Sequence, residues 1–363
     1  MARLALALSP HAQTIWVACG PGNNGGDGLE AAAWLQRWGK TALVTWLGSL
    51  QTASADTQLA HAHAVAAGVR FVGEPPAKFD FAIDALLGIG GNRAPQGQVA
   101  VHIAALNASG VPVLAVDLPS GLDGDTGQPS GFNSDAINNI ASHAGNTLAT
   151  AQFCLNLLTL KPGVFTASGK DAAGQVWWDD LGTAPTQAPT AMLMGNQHAV
   201  RPARAHNTHK GSYGDVAVLG GALGMTGAAL LAARAALHAG AGRVFVALLD
   251  GAGLAVDPQQ PELMFRRPDQ LDLPHSTVVC GCGGGDAVRA VLPEALSRAR
   301  GLVLDADALN AIAADSSLQA LLLARAAKGL PTVLTPHPLE AARLAGCSAA
   351  QIQAQRLHGA QQL

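Results

Sequence analysis

The 363-residue sequence predicts an α/β protein of two successive domains, each a parallel β-sheet with helices on both faces. Three observations predict it. Short apolar, β-prone runs alternate with Ala-rich helical stretches through both halves of the chain, and apolar strands in repeated β-loop-α units mark a sheet covered on both sides. The composition, 49% hydrophobic and 13% charged with 42 glycines, suits buried strands joined by tight turns. The length exceeds the roughly 250–300 residues at which a single core stops growing.

Taken in order, the opening MARLALALSPHAQ reads as the tail of a helix leading into the first strand, so the chain is expected to begin inside a domain. It is too short for a signal peptide. Thr14–Cys19 is a strand, followed by the loop GPGNNGGDG and a helix to about Trp38. A strand at Ala42–Trp46, a helix over Asp56–Ala66 and a strand at Phe79–Leu86 follow. A helix near Val99–Leu106 precedes the strand Pro112–Val116, which runs into DLPSGLDGDTG. The polar, Asn-rich residues Gln128–Gln152 read as a loop with one weak helix before a strand at Cys154–Leu160, and GQVWWDDLG supplies the closing strand. Thr183–Ala205, rich in Pro, Ala and Thr, reads as a linker.

The second half restarts with a strand at Asp215–Leu219 and the helix GMTGAALLAARAALHAGAG, apolar on most faces and hence expected to be buried. Strands at Arg243–Leu249, Thr277–Cys280, Leu302–Leu304 and Thr332–Leu334 follow, with helices between, and the chain ends in a helical pattern.

Charge and cysteine usage narrow the function. A formal net charge of -3 gives no pull toward nucleic acid or anionic membrane. No apolar run reaches the roughly 18–20 residues of a membrane span. The five cysteines are scattered without a C-x-x-C pair and read as reduced thiols of a cytoplasmic protein. His61, His63, His102 and His143 make no metal-ligand spacing.

In doubly wound sheets the ligand lies beyond the carboxyl ends of the strands, and the distinctive motifs all fall there. Gly20–Gly28 is a Gly-rich strand-to-helix loop able to bring N–H groups toward a phosphate. It lacks the Lys and the spacing of a P-loop and does not fit GxGxxG. The plainer alternative is a tight turn with Asn in left-handed geometry. Asp84 ends a strand before a Gly-rich loop, as a cation ligand with a substrate clasp or as a turn cap. Asp117 ends the next strand, followed by Pro119-Ser120-Gly121, which would present Ser120 oxygen beside it; Asp123 and Asp125 look like solvated turn acids. Asn24, Asp84 and Ser120 thus converge on one crevice. They are hard oxygen donors with little charge, which disfavours zinc or copper and permits K⁺ or a similar ion, leaving Asp117 for acid/base work. In the second half, His337 sits between two prolines at a strand end, placed for ligand contact, and Asp305 and Asp307 could orient a hydroxyl or a phosphate-bound Mg²⁺. His209, Lys210, Gly211 and Tyr213 either face a phosphate or anchor the linker.

The motifs GPGNNGGDG, DALLGIG, VDLPSGLDGDTG, LTLKPG and GQVWWDDLG, in this order, resemble the NAD(P)H-hydrate epimerase domain over residues 1–182. After the 183–205 linker, HKGSYG, GMTGAALLAARAAL, PELM, GCGGG, LVLDADALN and LTPHPLE resemble the ADP/ATP-dependent NAD(P)H-hydrate dehydratase domain over residues 206–363. The resemblance implies a Rossmann-like three-layer domain followed by a partial ribokinase-like α/β domain. It also implies K⁺ at Asn24, Asp84 and Ser120, and Asp117 as catalytic residue. Hydrate contacts are implied at Asn23, Asn24, Gly25, Gly26 and Asp27, at Gly88, Ile89, Gly90, Gly91, Asn92, Arg93 and Ala94, and at Asp117. In the second domain they are implied at Ala228, Gly283 and His337. The ligands implied are NADH or NADPH hydrate (NADHX, NADPHX), with ADP or ATP and Mg²⁺ for the second domain, in a homo-oligomer. The family's later GTGD motif is not among the 363 residues, so dehydration by this chain alone is not expected. The rival expectations are a non-catalytic nucleotide-binding scaffold and a ribokinase-like small-molecule kinase.

Overall fold

The apolar runs form two separate parallel sheets. In the computed structural model the chain divides into two units, Met1–Leu193 and Met194–Leu363. The structure describes residues 1–91, 93–132, 147–195, 204–249, 251 and 254–363.

The first unit runs α1 (Ala2–Leu8), β1 (Thr14–Cys19), α2 (Asn23–Arg37), β2 (Thr41–Trp46), α3 (Ala55–Ala66), β3 (Arg70–Phe71) and β4 (Phe81–Ala85). It continues with α4 (Gly97–Ala108), β5 (Val113–Val116), β6 (Phe153–Leu157), a short α5 (Gly169–Ala172) and β7 (Gln175–Asp179). The strands order as β3-β2-β1-β4-β5-β6-β7, every pair parallel. From β1 the chain winds outward through β2 and β3, then returns to β1's other side and winds the opposite way. That reversal opens a crevice at the carboxyl ends of β1 and β4. All five residues of β4 and all four of β5 are buried, as expected of strands covered on both faces. One core packs Leu29, Leu35, Ile83 and Val116; the other packs Trp16, Ile103, Leu106 and Leu118. Trp16 satisfies its buried indole by donating to Thr45 Oγ1 at 3.0 Å.

Two expectations need correction here. The strand expected to reach Leu160 stops at Leu157, because Leu158 turns to φ +63° and the chain leaves the sheet. The two-residue β3 was not expected: its pairing with β2 defines it, and both its side chains are exposed. The Asn-rich stretch 133–146 lies outside the described residues. Trp34, Trp38, Trp177 and Trp178 line an open groove of 590 Å³ with Leu155 and Asp179.

The second unit runs β8 (Asp215–Gly220), α6 (Thr226–Ala239), β9 (Arg243–Leu248), β10 (Met264–Phe265), β11 (Ser276–Cys280), α7 (Val288–Arg298) and β12 (Gly301–Leu304). It ends with α8 (Asp307–Ala313), α9 (Ser316–Ala327), β13 (Thr332–Leu334), α10 (Pro338–Ala345), α11 (Ala349–Ala354) and α12 (Arg356–Gln362). Its sheet, order β10-β9-β8-β11-β12-β13, is also parallel throughout and reverses between β8 and β11. Helix α6 is not the buried helix its composition suggested. Only Ala229 and Ala233 are buried, and Leu231 is 68% exposed. One narrow Ala stripe faces the sheet, so apolar content overstated burial. Among the described residues no helix is long and apolar enough to cross a membrane.

Candidate active site

The crevice of the first unit is built by close backbone approach. A Cβ at Gly20 would lie 1.7 Å from Leu86 O, and one at Gly25 would lie 2.0 Å from Gly20 O. A Cβ at Gly28 would meet Ala85 Cβ at 2.6 Å and Cys19 Sγ at 2.8 Å. These glycines seat α2 directly on the ends of β1 and β4, so packing as well as ligand approach requires them. Gly22 alone of this group stands in open space. The two asparagines are not a left-handed turn. They form the first turn of α2, behind an N-cap (Gly22) with no side-chain hydrogen bond, so the helix presents its positive end toward the crevice.

Asn23 Oδ1 accepts from Ser54 Oγ at 2.8 Å, tying α2 to the start of α3. Asn24 lies against the loop after β4: a Cβ at Gly88 would lie 3.4 Å from Asn24 Cγ. Its Nδ2 is buried with no hydrogen-bond partner among the described residues.

Asp84 is fully buried and bonded to Ser120 twice. Ser120 N–H donates to Oδ2 at 2.8 Å, and Ser120 Oγ donates to Oδ1 at 2.6 Å. Leu86 N–H also donates to Oδ1 (3.2 Å), while Leu87 N–H donates to Ser120 Oγ (2.9 Å). Burial pushes the Asp84 carboxyl above its ordinary range, and the bonds from Ser120 and Leu86 pull it back. Among the described residues no Lys or Arg pairs with it.

Asp117 follows β5 in left-handed backbone, φ +66°, although only 8% of it is exposed. Its N–H donates to Leu155 O at 2.8 Å, and its carbonyl accepts from Asn156 Nδ2 at 2.5 Å. Its carboxylate pairs with the Lys161 ammonium. Such strain, of order 1–3 kcal/mol, persists only where neighbours over-determine it, and it concentrates at functional sites. Across the crevice the surrounding protein and the Asp117 charge push the Asp27 carboxyl up, with the Met1 ammonium partly offsetting them.

The Gly88–Ala94 loop borders the same region. Ile89 is 63% exposed, Ser130 Oγ donates to Gly91 O at 2.5 Å, and a Cβ at Gly131 would lie 2.7 Å from Ala94 N. Gly90 and Arg93 are exposed; Asn92 lies outside the described residues. Asp123 is no free surface acid, since its Oδ1 accepts from Asp125 N–H, Thr126 N–H and Thr126 Oγ1. Lys161 and Asn156 were not singled out from sequence. The signals were present: a Lys before Pro just past a strand, and an Asn within the apolar run FCLNL, where it is wholly buried.

In the second unit, Gly283 and Ala228 come together: a Cβ at Gly283, φ +60°, would lie 3.0 Å from Ala228 Cβ. Gly221 N–H donates to Cys282 O (3.0 Å) and Ala222 N–H to Gly283 O (2.7 Å), clamping the two Gly-rich loops at the reversal. Asp305 accepts from Thr335 Oγ1 at 2.7 Å, and Asp307 from Gly285 N–H at 2.8 Å. Between them Ala306 adopts φ +47°.

His337 is turned onto its own helix. As N-cap of α10 its Nδ1 accepts from Leu339 N–H (3.2 Å), its Nε2 lies 2.9 Å from Glu340 Oε1, and its N–H donates to Glu340 Oε2 (3.0 Å). These are capping bonds, and none of them joins it to Ala228 or Gly283. His209 likewise caps a short turn over Lys210–Tyr213, accepting from Gly211 N–H. Arg204 stacks 4.2 Å over the Tyr213 ring and donates to Gly240 O, which favours anchoring. Burial pushes the Cys280 and Cys282 thiols up to about 12, and all five cysteines are free. No cluster of three or more His, Cys, Asp or Glu able to hold a metal occurs among the described residues.

Two parallel sheets, each with a glycine-lined crevice at its point of reversal and carboxylates at its strand ends, define a two-unit α/β protein of the nucleotide-handling class. Residues 1–163 match the family described as YjeF-related protein N-terminus, and residues 216–363 match NAD(P)H-hydrate dehydratase. The bifunctional NAD(P)H-hydrate repair enzyme of Coxiella burnetii is 34% identical over 97% of this chain and 70% of its own length. That of Escherichia coli is 32% identical over 98% of this chain and 67% of its own length, and that of Leishmania major 32% identical over 96% and 67%. The chain belongs to the bifunctional NAD(P)H-hydrate repair enzyme family.

Proposed function

We propose that the first unit interconverts the R and S forms of NADH or NADPH hydrate at C6 of the nicotinamide ring, with Asp117 as the acid/base group. The observation that carries this is a buried, charge-paired carboxylate held in strained backbone at a strand end of the crevice. Inversion at C6 requires its bond to oxygen or to the ring nitrogen to break and re-form on the opposite face. Either route moves a proton on or off the hydroxyl or the nitrogen, and Asp117 takes and returns it. The amino end of α2 and the Gly88–Ala94 loop bind the pyrophosphate and ribose, holding C6 within reach of the carboxylate.

A potassium ion suits the neighbouring donors. Asp84 is fully buried with no Lys or Arg partner among the described residues, and the Asn24 amide carries a buried, unpartnered atom. Rotating that amide by half a turn puts its oxygen in the same place. Asn24, Asp84 and Ser120 would hold the ion, which supplies positive charge to the ligand's phosphates.

For the second unit we propose hydrate contact at the Ala228–Gly283 pair. ADP or ATP with Mg²⁺ would bind near Asp305 and Asp307, with His337 reaching the ligand only after leaving its cap. In the family reaction this unit dehydrates the S hydrate.

The first-unit reading is tested by mixing the purified chain with separated NADHX epimers and following interconversion by chromatography. Asp117→Asn is expected to slow it by roughly 10²–10⁴-fold, the usual worth of a positioned proton-transfer group. Interconversion at the wild-type rate would sink the assignment, and tight hydrate binding by a wild type that never turns over would support a scaffold instead.

A further inference from the structure

Lys161 lies four residues beyond β6, 8% exposed, with its stem beside Gly124. Its ammonium donates to Asp117 Oδ1 and to Leu157 O, the latter at 2.5 Å. Leu157 N–H reaches the same Oδ1 at 3.3 Å. Asn156 closes a ring: its Oδ1 accepts from Lys161 N–H at 2.9 Å while its Nδ2 holds the Asp117 carbonyl at 2.5 Å. One residue therefore fixes the backbone of both partners, and their side chains complete the cycle. Both described contacts to the carboxylate fall on Oδ1; among the described residues no hydrogen bond reaches Oδ2. The pair is nearly enclosed, with side-chain exposures of 9% and 11%, and taking away one member of such a pair leaves an uncompensated buried charge.

We propose that Lys161 is the positioning residue of the crevice: it occupies one oxygen of Asp117 and neutralises its charge, so that the other oxygen is presented as the proton acceptor. The inference rests on Asp117 as the acid/base group. A lysine that served only to shape the Lys161-Pro162-Gly163 turn would have no reason to direct its ammonium into a carboxylate 44 residues away.

The test measures epimer interconversion by the full chain across pH, for wild type, Lys161→Met, Lys161→Arg and Asp117→Asn. Lys161→Met is expected to lower kcat on the order of 10²-fold, as a misplaced catalytic group does, with KM changed by less than about threefold. The acidic limb of its pH–rate profile moves to higher pH, because losing a neighbouring cation disfavours the carboxylate form. Lys161→Arg keeps the charge and returns the limb to its wild-type position, with a smaller loss in kcat. The proposal is overturned by a Met variant with wild-type kcat and profile, or by one that loses rate while its limb stays in place. If Lys161→Met does not melt cooperatively, Lys161→Gln is judged by the same criteria. Asp117→Asn separates the two claims: an active Asn variant removes the reading of the site itself. An inactive one beside a normal Lys161→Met removes the positioning role alone.

Discussion

The two units carry the same kind of sheet but treat their strand-end carboxylates differently. In the first, Asp84 and Asp117 are buried and each is held by partners from distant chain: Ser120 for one, Lys161 and Asn156 for the other. In the second, Asp305 and Asp307 are only half-buried, each held by one distant partner, Thr335 or Gly285, and the histidine expected to contact ligand caps its own helix. A strand end is thus only a location. It becomes a rigid reaction site where buried charges are fixed from several elements at once.

All six tryptophans, at positions 16, 34, 38, 46, 177 and 178, fall in the first unit, so tryptophan fluorescence follows that unit while far-UV circular dichroism follows both. Each unit's unfolding can therefore be followed by its own signal. The largest effect is expected from Gly20→Ala, whose new methyl would collide with the Leu86 carbonyl. It should destabilise the first unit by about 4 kcal/mol or more and displace the fluorescence melt. An unmoved melt would mean that the close approach of β1 and β4 is not rigid.

Arg325→Met is its counterpart in the second unit. Arg325, 2% exposed, donates to Leu296 O, Ala299 O, Pro331 O and Thr332 Oγ1. Losing it takes the donor from the Leu296 and Ala299 carbonyls, while Pro331 O keeps the Leu302 N–H, and should cost about 2–3 kcal/mol. The expected result is a lower dichroism transition with an unchanged fluorescence melt; movement of both would show that the units do not unfold separately.

The smallest effects are expected at two acids, the exposed Asp80 of the first unit and the half-buried Asp315 of the second. Amide hydrogen bonds from Thr14 and Gln13 hold the Asp80 carboxyl below its ordinary range, and bonds from Ser317 do the same for Asp315. A depressed folded-state value adds stability above the unfolded value, and that stability is lost as pH falls through the folded one. Asp80→Asn should therefore flatten the acid side of the fluorescence melt below about pH 4, and Asp315→Asn should flatten only the dichroism transition. Unchanged acid limbs in both variants would mean these bonds do not distinguish folded from unfolded chain.

Most strands were legible because they are apolar runs bounded by Gly, Pro or Asp; β1 and β13 fall on the expected residues. The two-residue β3 and β10 were not, since pairing with a neighbour creates them and no side-chain pattern announces it. The Asp84–Ser120 contact follows from both residues lying at strand ends on the same side of the sheet. Lys161 and Asn156 could not be assigned roles because their meaning depends on Asp117, some 40 residues away, and no local spacing encodes that meeting. His337 shows the converse: its sequence neighbours, Pro338 and Glu340, also fit a helix cap, and capping is the role the fold gives it.

Both sheets taper on the side where winding begins, at Arg70–Phe71 and at Met264–Phe265, each held by a single neighbour. An extended peptide laid there finds only two residues of free backbone to copy, too few to nucleate a ribbon. The opposite margin of the first sheet, β7, is five residues long and carries the exposed indoles of Trp177 and Trp178, so it offers an added strand more free backbone than β3 does.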